Sequence, residues 1–105
     1  MTTFDQREEG FEKKFAIDEE LKFKAEVRRN RLLGLWAAEQ LGLSGDAATA
    51  YAKEIVAADF ERAGEAGRKV SADLAAKGIA ISDAQLRARM DELLAQAIMQ
   101  VKAGT

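Results

Sequence analysis

The sequence predicts an all-α protein, a four-helix bundle that follows a mobile, partly helical N-terminal arm. The 105-residue chain contains no proline, and glycine is sparse outside apparent helix ends. Hydrophobic residues make up 48% of the chain, which is enough for one small domain with a single core. The turns and β-branched runs that strands require are missing. Together these observations favour helices throughout.

The predicted arm covers residues 1–17 and carries an unusual aromatic face. Phe4, Phe11 and Phe15 follow one another at offsets of seven and four, which places them on one side of an α-helix. Charged side chains dominate the remaining positions. Because an isolated helix of this length is marginal in water, we expect the arm to be mobile or only partly helical.

The predicted bundle covers residues 18–105, and its first helix organises the rest. Asp18 can cap this helix, and two glutamates after it favour the positive end of the helix dipole. Gly34 lies inside the helix and predicts a close contact with a neighbouring helix. Gly42 is expected to end the helix as a left-handed cap residue. The four predicted helices cover residues of about 18–41, 47–62, 65–77 and 83–103.

The other three helices follow from apolar spacing and from cap residues. Helix 2 carries its apolar face on Tyr51 and Ile55, and Phe60 is expected to continue that face. Helix 3 places Ala66, Val70 and Leu74 at regular helical spacing, and Gly78 ends it. The loop residues Ile79 and Ile81 are expected to close one end of the bundle. Ser82 and Gln85 form a predicted capping box that opens helix 4, the most clearly amphipathic helix of the chain.

The N-terminal half of helix 1 is basic, with a cluster that consists of Lys22, Lys24, Arg28, Arg29 and Arg31. A solvated helix face is one interpretation of this cluster. The functional interpretations are contact with an acidic protein partner, a nucleotide phosphate or nucleic acid. Nucleic acid is disfavoured because no aromatic residues interleave the arginines and the formal net charge is -2.

Catalysis is poorly supported by the composition. The chain has no histidine and no cysteine, which removes the commonest general base, a thiol nucleophile and the commonest metal ligands. A glycine-containing segment at residues 64–69 lacks the spacing of a phosphate-binding loop, and no strand precedes it. We therefore expect no enzymatic activity, no catalytic residue and no metal site. No apolar run is long enough to span a membrane and no signal peptide is evident, so we expect a soluble intracellular protein.

Three segments of the first 40 residues resemble a known family. The segments are MTTFDQRE at the N-terminus, KFAIDEELKFKAE after it and RRNRLLGLWAA in helix 1. Together they are similar to the ζ subunits, the small inhibitor proteins of alphaproteobacterial F-type ATP synthases. The resemblance implies a four-helix bundle with a mobile inhibitory N-terminal segment. In this family the segment folds as a helix at an interface between catalytic subunits and blocks rotation in the direction of ATP hydrolysis.

The resemblance assigns the inhibitory contact to eight residues of the arm: Thr3, Phe4, Asp5, Arg7, Glu8, Phe11, Lys14 and Phe15. The expected partner is the catalytic head of F1-ATPase, with its α, β and γ subunits. The expected location is the cytoplasm, peripheral to the inner membrane, and the free protein is expected to be monomeric. We expect no cofactor.

Two alternatives remain open from the residues alone. One is a small regulatory bundle that senses a nucleotide or phosphate through the basic half of helix 1, with weak binding of adenine nucleotide. The other is a helical adaptor for an unrelated protein.

Overall fold

The computed structural model describes the backbone of residues 2–104 and the side chains of residues 19–104. It contains four helices and no strand within residues 2–104. They are α1 (Thr2–Gln40), α2 (Gly45–Glu61), α3 (Glu65–Ala76) and α4 (Asp83–Lys102). The predicted all-α, four-helix class is confirmed. None of the helices in the described part is long and apolar enough to cross a membrane.

Helix α1 runs from Thr2 to Gln40 without interruption, so it includes the backbone of the predicted, partly helical arm as well as the first helix of the bundle. No proline stands in α1, and each of its two internal glycines, Gly10 and Gly34, costs only about 1 kcal/mol of helix stability. The boundary between arm and bundle after residue 17 stays a prediction.

Two predicted glycine caps end α1 and α3 in the same way. Gly42 has a φ of 79°, its N–H donates to Glu39 O, and the N–H of the next residue donates to Ala38 O at 2.8 Å. Gly78 also has a φ of 79°, and the following N–H donates to Leu74 O at 2.9 Å. Both patterns are Schellman motifs, which satisfy helix carbonyls and need a residue with positive φ.

The predicted capping box of α4 is confirmed. Gln85 N–H donates to Ser82 Oγ at 3.1 Å, and Ser82 N–H donates to Gln85 Oε1 at 2.9 Å. Ser44 occupies the corresponding position before α2, but its side chain makes no capping hydrogen bond. Local sequence therefore fixes the start of α4 more firmly than the start of α2.

The core lies where α1 packs against α2 and α4, and α3 covers its remaining side. On α1, Leu33 and Ala37 are fully buried, whereas Trp36 is only partly buried. Leu33 and Ala37 therefore lie deeper in the core than Trp36, because α1 contacts helices on two sides. Buried residues from all four helices complete the core cluster, namely Leu33, Ala37, Ala38, Tyr51, Ile55, Ala66, Val70, Leu74 and Leu86.

Ile79 and Ile81 are partly buried and pack against the core, as expected for residues that close one end of the bundle. Phe60 behaves differently from the prediction. It was expected to continue the apolar face of α2, but 77% of its surface is exposed. The helical spacing carries the apolar stripe beyond the part of α2 that other helices cover.

Gly34 brings α1 unusually close to α2. A Cβ atom at Gly34 would lie 2.5 Å from Ala52 Cα and 3.1 Å from Ala52 Cβ. A side chain at this position would therefore collide with the backbone of α2. The predicted close helix contact at Gly34 is confirmed.

Candidate functional site

The candidate residues of the arm lie outside the described side chains. Thr3, Phe4, Asp5, Arg7, Glu8, Phe11, Lys14 and Phe15 all precede residue 19. The backbone that carries them belongs to α1. Their role in binding stays a prediction.

The structure distributes the basic cluster over more than one side of α1. Lys24, Arg28 and Arg31 line a groove between α1 and α2, and Lys22 and Arg29 are not among its lining residues. The spacing of the three lining residues, four and then three positions, is the spacing of one helix face. The five cations therefore do not form a single patch.

Each described contact of the basic cluster is local or modest in strength. Lys24 Nζ lies 3.5 Å from Glu20 Oε1, and both side chains are largely exposed. Arg28 Nη1 donates to Gln100 Oε1 on α4 at 3.3 Å. Arg29 Nε donates to Asn30 Oδ1 at 3.2 Å. An exposed ion pair on a helix contributes little to stability, so Lys24 remains suited to contact with a partner.

The groove between α1 and α2 has a volume of about 1110 Å³. Its floor and walls include the apolar side chains of Phe23, Val27, Leu35, Val56 and Phe60. Val101 near the end of α4 and Gly104 just after that helix also line it. The groove therefore combines an apolar floor with cations along its edge.

A network of hydrogen bonds centred on Asp59 lies near this groove, and the sequence analysis did not predict it. Asn30 is 4% exposed, and its Nδ2 donates to Asp59 Oδ2 at 3.1 Å. The other carboxylate oxygen, Asp59 Oδ1, accepts from the N–H groups of Gly64 at 3.0 Å and Ala66 at 3.1 Å. Asp59 thus ties α1 and α2 to the N-terminus of α3, where a negative charge is favoured by the helix dipole. Asn30 looks like one more polar residue in a basic segment, so no sequence pattern indicated its burial.

A second buried polar contact joins α2 to α3. Tyr51 is 8% exposed, and its hydroxyl donates to Asp73 Oδ2 at 2.7 Å. Burial raises the pKa of the Tyr51 phenol above its ordinary value of 10.0, and the neighbouring carboxylates of Asp73 and Glu54 raise it further. The phenol stays protonated at neutral pH and cannot serve as a base.

A smaller pocket of about 400 Å³ lies near the C-terminal end of α1. Trp36 and Arg89 contribute to its lining, and Arg89 Cζ stands 5.5 Å from the Trp36 ring centroid in a cation–π contact. Arg89 also pairs with Glu92 at 3.1 Å. These contacts give Trp36 and Arg89 a structural role in the packing of α1 against α4.

The described residues form a groove and a smaller pocket, and their polar groups are well paired. Within residues 19–104, no group of three or more His, Cys, Asp or Glu side chains is placed to hold a metal ion. Every buried polar side-chain atom in the described part has a hydrogen-bond partner. The groove brings apolar and charged side chains together on one surface.

Comparison with known proteins adds two observations. The family model described as "ATPase inhibitor subunit zeta" matches residues 1–100. A chain solved by solution NMR is 49% identical to this one, with a TM-score of 0.68, and the match covers 81% of this chain and 99% of that chain. No curated protein matches the chain.

Proposed function

The chain belongs to the ATPase inhibitor subunit zeta family, and from this premise we propose that it inhibits ATP hydrolysis by the F1 head of ATP synthase. The family that its N-terminal segments resembled is confirmed by the match over residues 1–100. That match is the single observation on which the proposal rests most.

The proposed mechanism is steric. Residues 1–17 insert as a helix at an interface of the catalytic head, between subunits of the α, β and γ types, and stop rotation in the hydrolytic direction. The phenylalanine face of the arm supplies the apolar contact. α1 is continuous from Thr2, so an inserted arm would be joined to the bundle by helix rather than by a loose linker.

The free-energy cost of ordering the arm, compared with the gain from burying its phenylalanines, favours an enclosing site on the partner. Ordering about ten backbone residues costs roughly 10–20 kcal/mol. Burial of the phenylalanine side chains Phe4, Phe11 and Phe15 returns only about 5–9 kcal/mol. The missing free energy has to come from charged and backbone contacts, for which the arm offers Asp5, Arg7, Glu8 and Lys14. A deep cleft between subunits supplies such contacts better than a flat surface.

The proposal gives the chain no catalytic step. A chain without histidine or cysteine lacks the usual general base and thiol nucleophile, which is consistent with a regulatory subunit. We further propose that the free protein is a monomer and that it acts in the cytoplasm, bound to the ATP synthase head.

Three arginines of the basic cluster are proposed to contact the head as well. Arg28, Arg29 and Arg31 would pair with acidic groups beside the insertion site. Their joint replacement by glutamate should weaken inhibition and reduce its dependence on salt. Full inhibition with unchanged salt dependence would remove the arginines from the proposal.

ATP hydrolysis by F1 that lacks its own ζ subunit tests the main proposal. The full chain, a variant without residues 1–17 and the joint Phe4→Ala, Phe11→Ala and Phe15→Ala variant are compared, with circular dichroism to verify folding. Met99→Ala removes one exposed apolar side chain of the bundle and serves as the matched control. We expect inhibition by the full chain and by Met99→Ala only. Equal inhibition by the truncated chain would place the activity in the bundle, and no inhibition by the full chain would overturn the proposal.

A further inference from the structure

We propose that the groove between α1 and α2 binds one helix of another protein, about three turns long, apolar on one face and acidic along its flanks. This surface lies outside the arm. It shares Arg28 and Arg31 with the proposed contact to the head, but the inference rests on the groove and does not depend on the inhibitory function.

The first observation is a concentration of exposed apolar side chains. Within the described side chains, five large apolar residues are exposed, and four of them line the groove. These are Phe23, Val27, Leu35 and Phe60, with exposed fractions of 57%, 36%, 36% and 77%. Met99 is the fifth and is not among the lining residues. Contiguous apolar surface of this kind marks a site of interaction, whereas single exposed residues do not.

The second observation is the charge along the edge of the groove. Lys24, Arg28, Arg31 and Lys53 line it, and Glu61 is the one acidic residue among the lining side chains. The whole chain has a formal net charge of -2, so the charge of the groove is opposite in sign to the net charge of the protein. An occupant with acidic flanks would gain from this field, both in affinity and in rate of association.

The third observation is the shape of the groove. Its α1 wall extends from Phe23 to Leu35, and this rise corresponds to about 18 Å along the helix axis. A helix of about 12 residues has the same length. The volume of about 1110 Å³ lies above the range of about 300–1,000 Å³ that is usual for small-molecule pockets. A helix laid into a groove with anchors on successive turns is an established mode of recognition.

Other occupants fit less well. A second copy docked symmetrically, groove against groove, would bring two basic edges together, which is unfavourable. The arm of the same chain would have to reverse direction near Glu20, where α1 is helical and where Glu20 pairs with Lys24 at 3.5 Å. Its residues 1–17 also contain three basic residues beside four acidic ones, so the arm matches the edge poorly. A partner helix with acidic flanks meets all three observations.

The test is a titration of the full, ¹⁵N-labelled chain with a stapled helical peptide of about 14 residues, followed by NMR. The peptide presents leucines on one face and glutamates on both flanks. A second peptide with lysines in place of the glutamates tests the charge. Phe60→Glu disrupts the apolar floor and Met99→Glu is its control, since both side chains are exposed and only Phe60 lines the groove. Lys53→Glu and Lys77→Glu form the corresponding pair for charge, because only Lys53 lines the groove.

We expect the glutamate peptide to shift the resonances of the groove residues. Phe60→Glu should weaken binding by about tenfold or more, as for an anchor residue, and Met99→Glu should leave it within about twofold. Lys53→Glu and the lysine peptide should weaken binding, and Lys77→Glu should not.

Several results would overturn the proposal: shifts outside the groove, equal losses in the two members of either pair, or equal affinity for the two peptides. Groove shifts that depend on protein concentration alone would identify a second copy as the occupant. Groove shifts on Phe11→Glu without peptide would identify the arm, and saturable groove shifts with ATP but none with peptide would identify a nucleotide. Because the titration contains no ATPase, its failure would leave the inhibitory function untouched.

Discussion

Replacement of Gly34 by alanine should destabilise the bundle, although alanine is the better helix former. The new Cβ atom would lie 2.5 Å from Ala52 Cα, whereas carbon atoms in favourable contact stand about 3.5–4.0 Å apart. Because the obstacle is the backbone of α2, no side-chain rotation can relieve it. The two helices would have to separate by about 1 Å or more and lose packing along their contact.

The expected magnitude is the difference between two terms. Overpacking of a core costs typically about 1–3 kcal/mol, and a backbone obstacle belongs at the upper end of that range. The gain in helix propensity from glycine to alanine is about 1 kcal/mol. The net loss of unfolding free energy is therefore about 2 kcal/mol. For a domain of this size it lowers Tm by about 8–16 °C.

Gly67→Ala is the matched control, because Gly67 also lies inside a helix. A Cβ atom there would meet Met90 Sδ at 3.3 Å and Cε at 3.5 Å, which are the mobile end of a flexible side chain. We expect this variant to be as stable as the native protein or slightly more so. Both variants are compared by urea denaturation and by thermal melting, followed by circular dichroism.

A Gly34→Ala variant that melts at or above the native temperature would refute the reasoning. The double variant Gly34→Ala with Ala52→Gly sharpens the test. It removes the Ala52 Cβ but keeps the Cα atom that makes the closest approach, so we expect little recovery. Full recovery would show that side chains, and not the backbone, set the distance between α1 and α2.

Three further predictions concern caps and buried polar contacts. Tyr51→Phe should cost about 1–3 kcal/mol at neutral pH because it removes a hydrogen bond to Asp73. Because the pKa of native Tyr51 is raised by folding, the native protein loses stability as the pH rises above 10.0. The difference in unfolding free energy between the native protein and Tyr51→Phe, measured by urea denaturation, should therefore shrink above that pH. A difference that stays constant with pH would contradict this explanation. Asp59→Ala should lower the unfolding free energy by about 2–3 kcal/mol in the same assay, because Asn30 and two N–H groups of the α3 N-terminus lose their acceptor. A loss below about 0.5 kcal/mol would show that water replaces the Asp59 carboxylate. Ser82→Ala should lower the unfolding free energy by about 1 kcal/mol in the same assay, and Ser82→Thr should lower it less because threonine keeps the capping hydroxyl. Equal stability of Ser82→Ala and the native protein would show that the capping box contributes nothing.

Features encoded by near neighbours could be predicted from the sequence. The capping box at Ser82 and the glycine caps at Gly42 and Gly78 depend on residues within one turn, and each is present in the structure. The buried positions of α3 follow helical spacing and were also predicted correctly. These features need no knowledge of how the helices are arranged.

Most features that depend on distant residues could not be predicted, and the close contact at Gly34 is the exception because a glycine inside a helix itself indicates it. Asn30 is buried because it meets Asp59, 29 positions later, and Tyr51 is paired with Asp73, 22 positions later. Phe60 continues an apolar pattern, but its exposure depends on where the other helices end. The groove arises in the same way, because its walls come from α1 and α2 and its end from α4. For the arm, the sequence provides the aromatic face and the family provides its proposed role.

The orientation of α1 about its own axis connects the fold to the proposed groove. Asn30 and Gly34 lie four residues apart, on one face of α1, and both face α2: one through a hydrogen bond to Asp59 and the other through close contact with Ala52. A hydrogen bond at one turn and a steric limit at the next together restrict rotation of α1. Val27, Arg31 and Leu35 belong to the neighbouring stripe, so this restriction is what turns them toward the groove. A buried asparagine and a glycine without a side chain thus set the direction in which the groove side chains are presented.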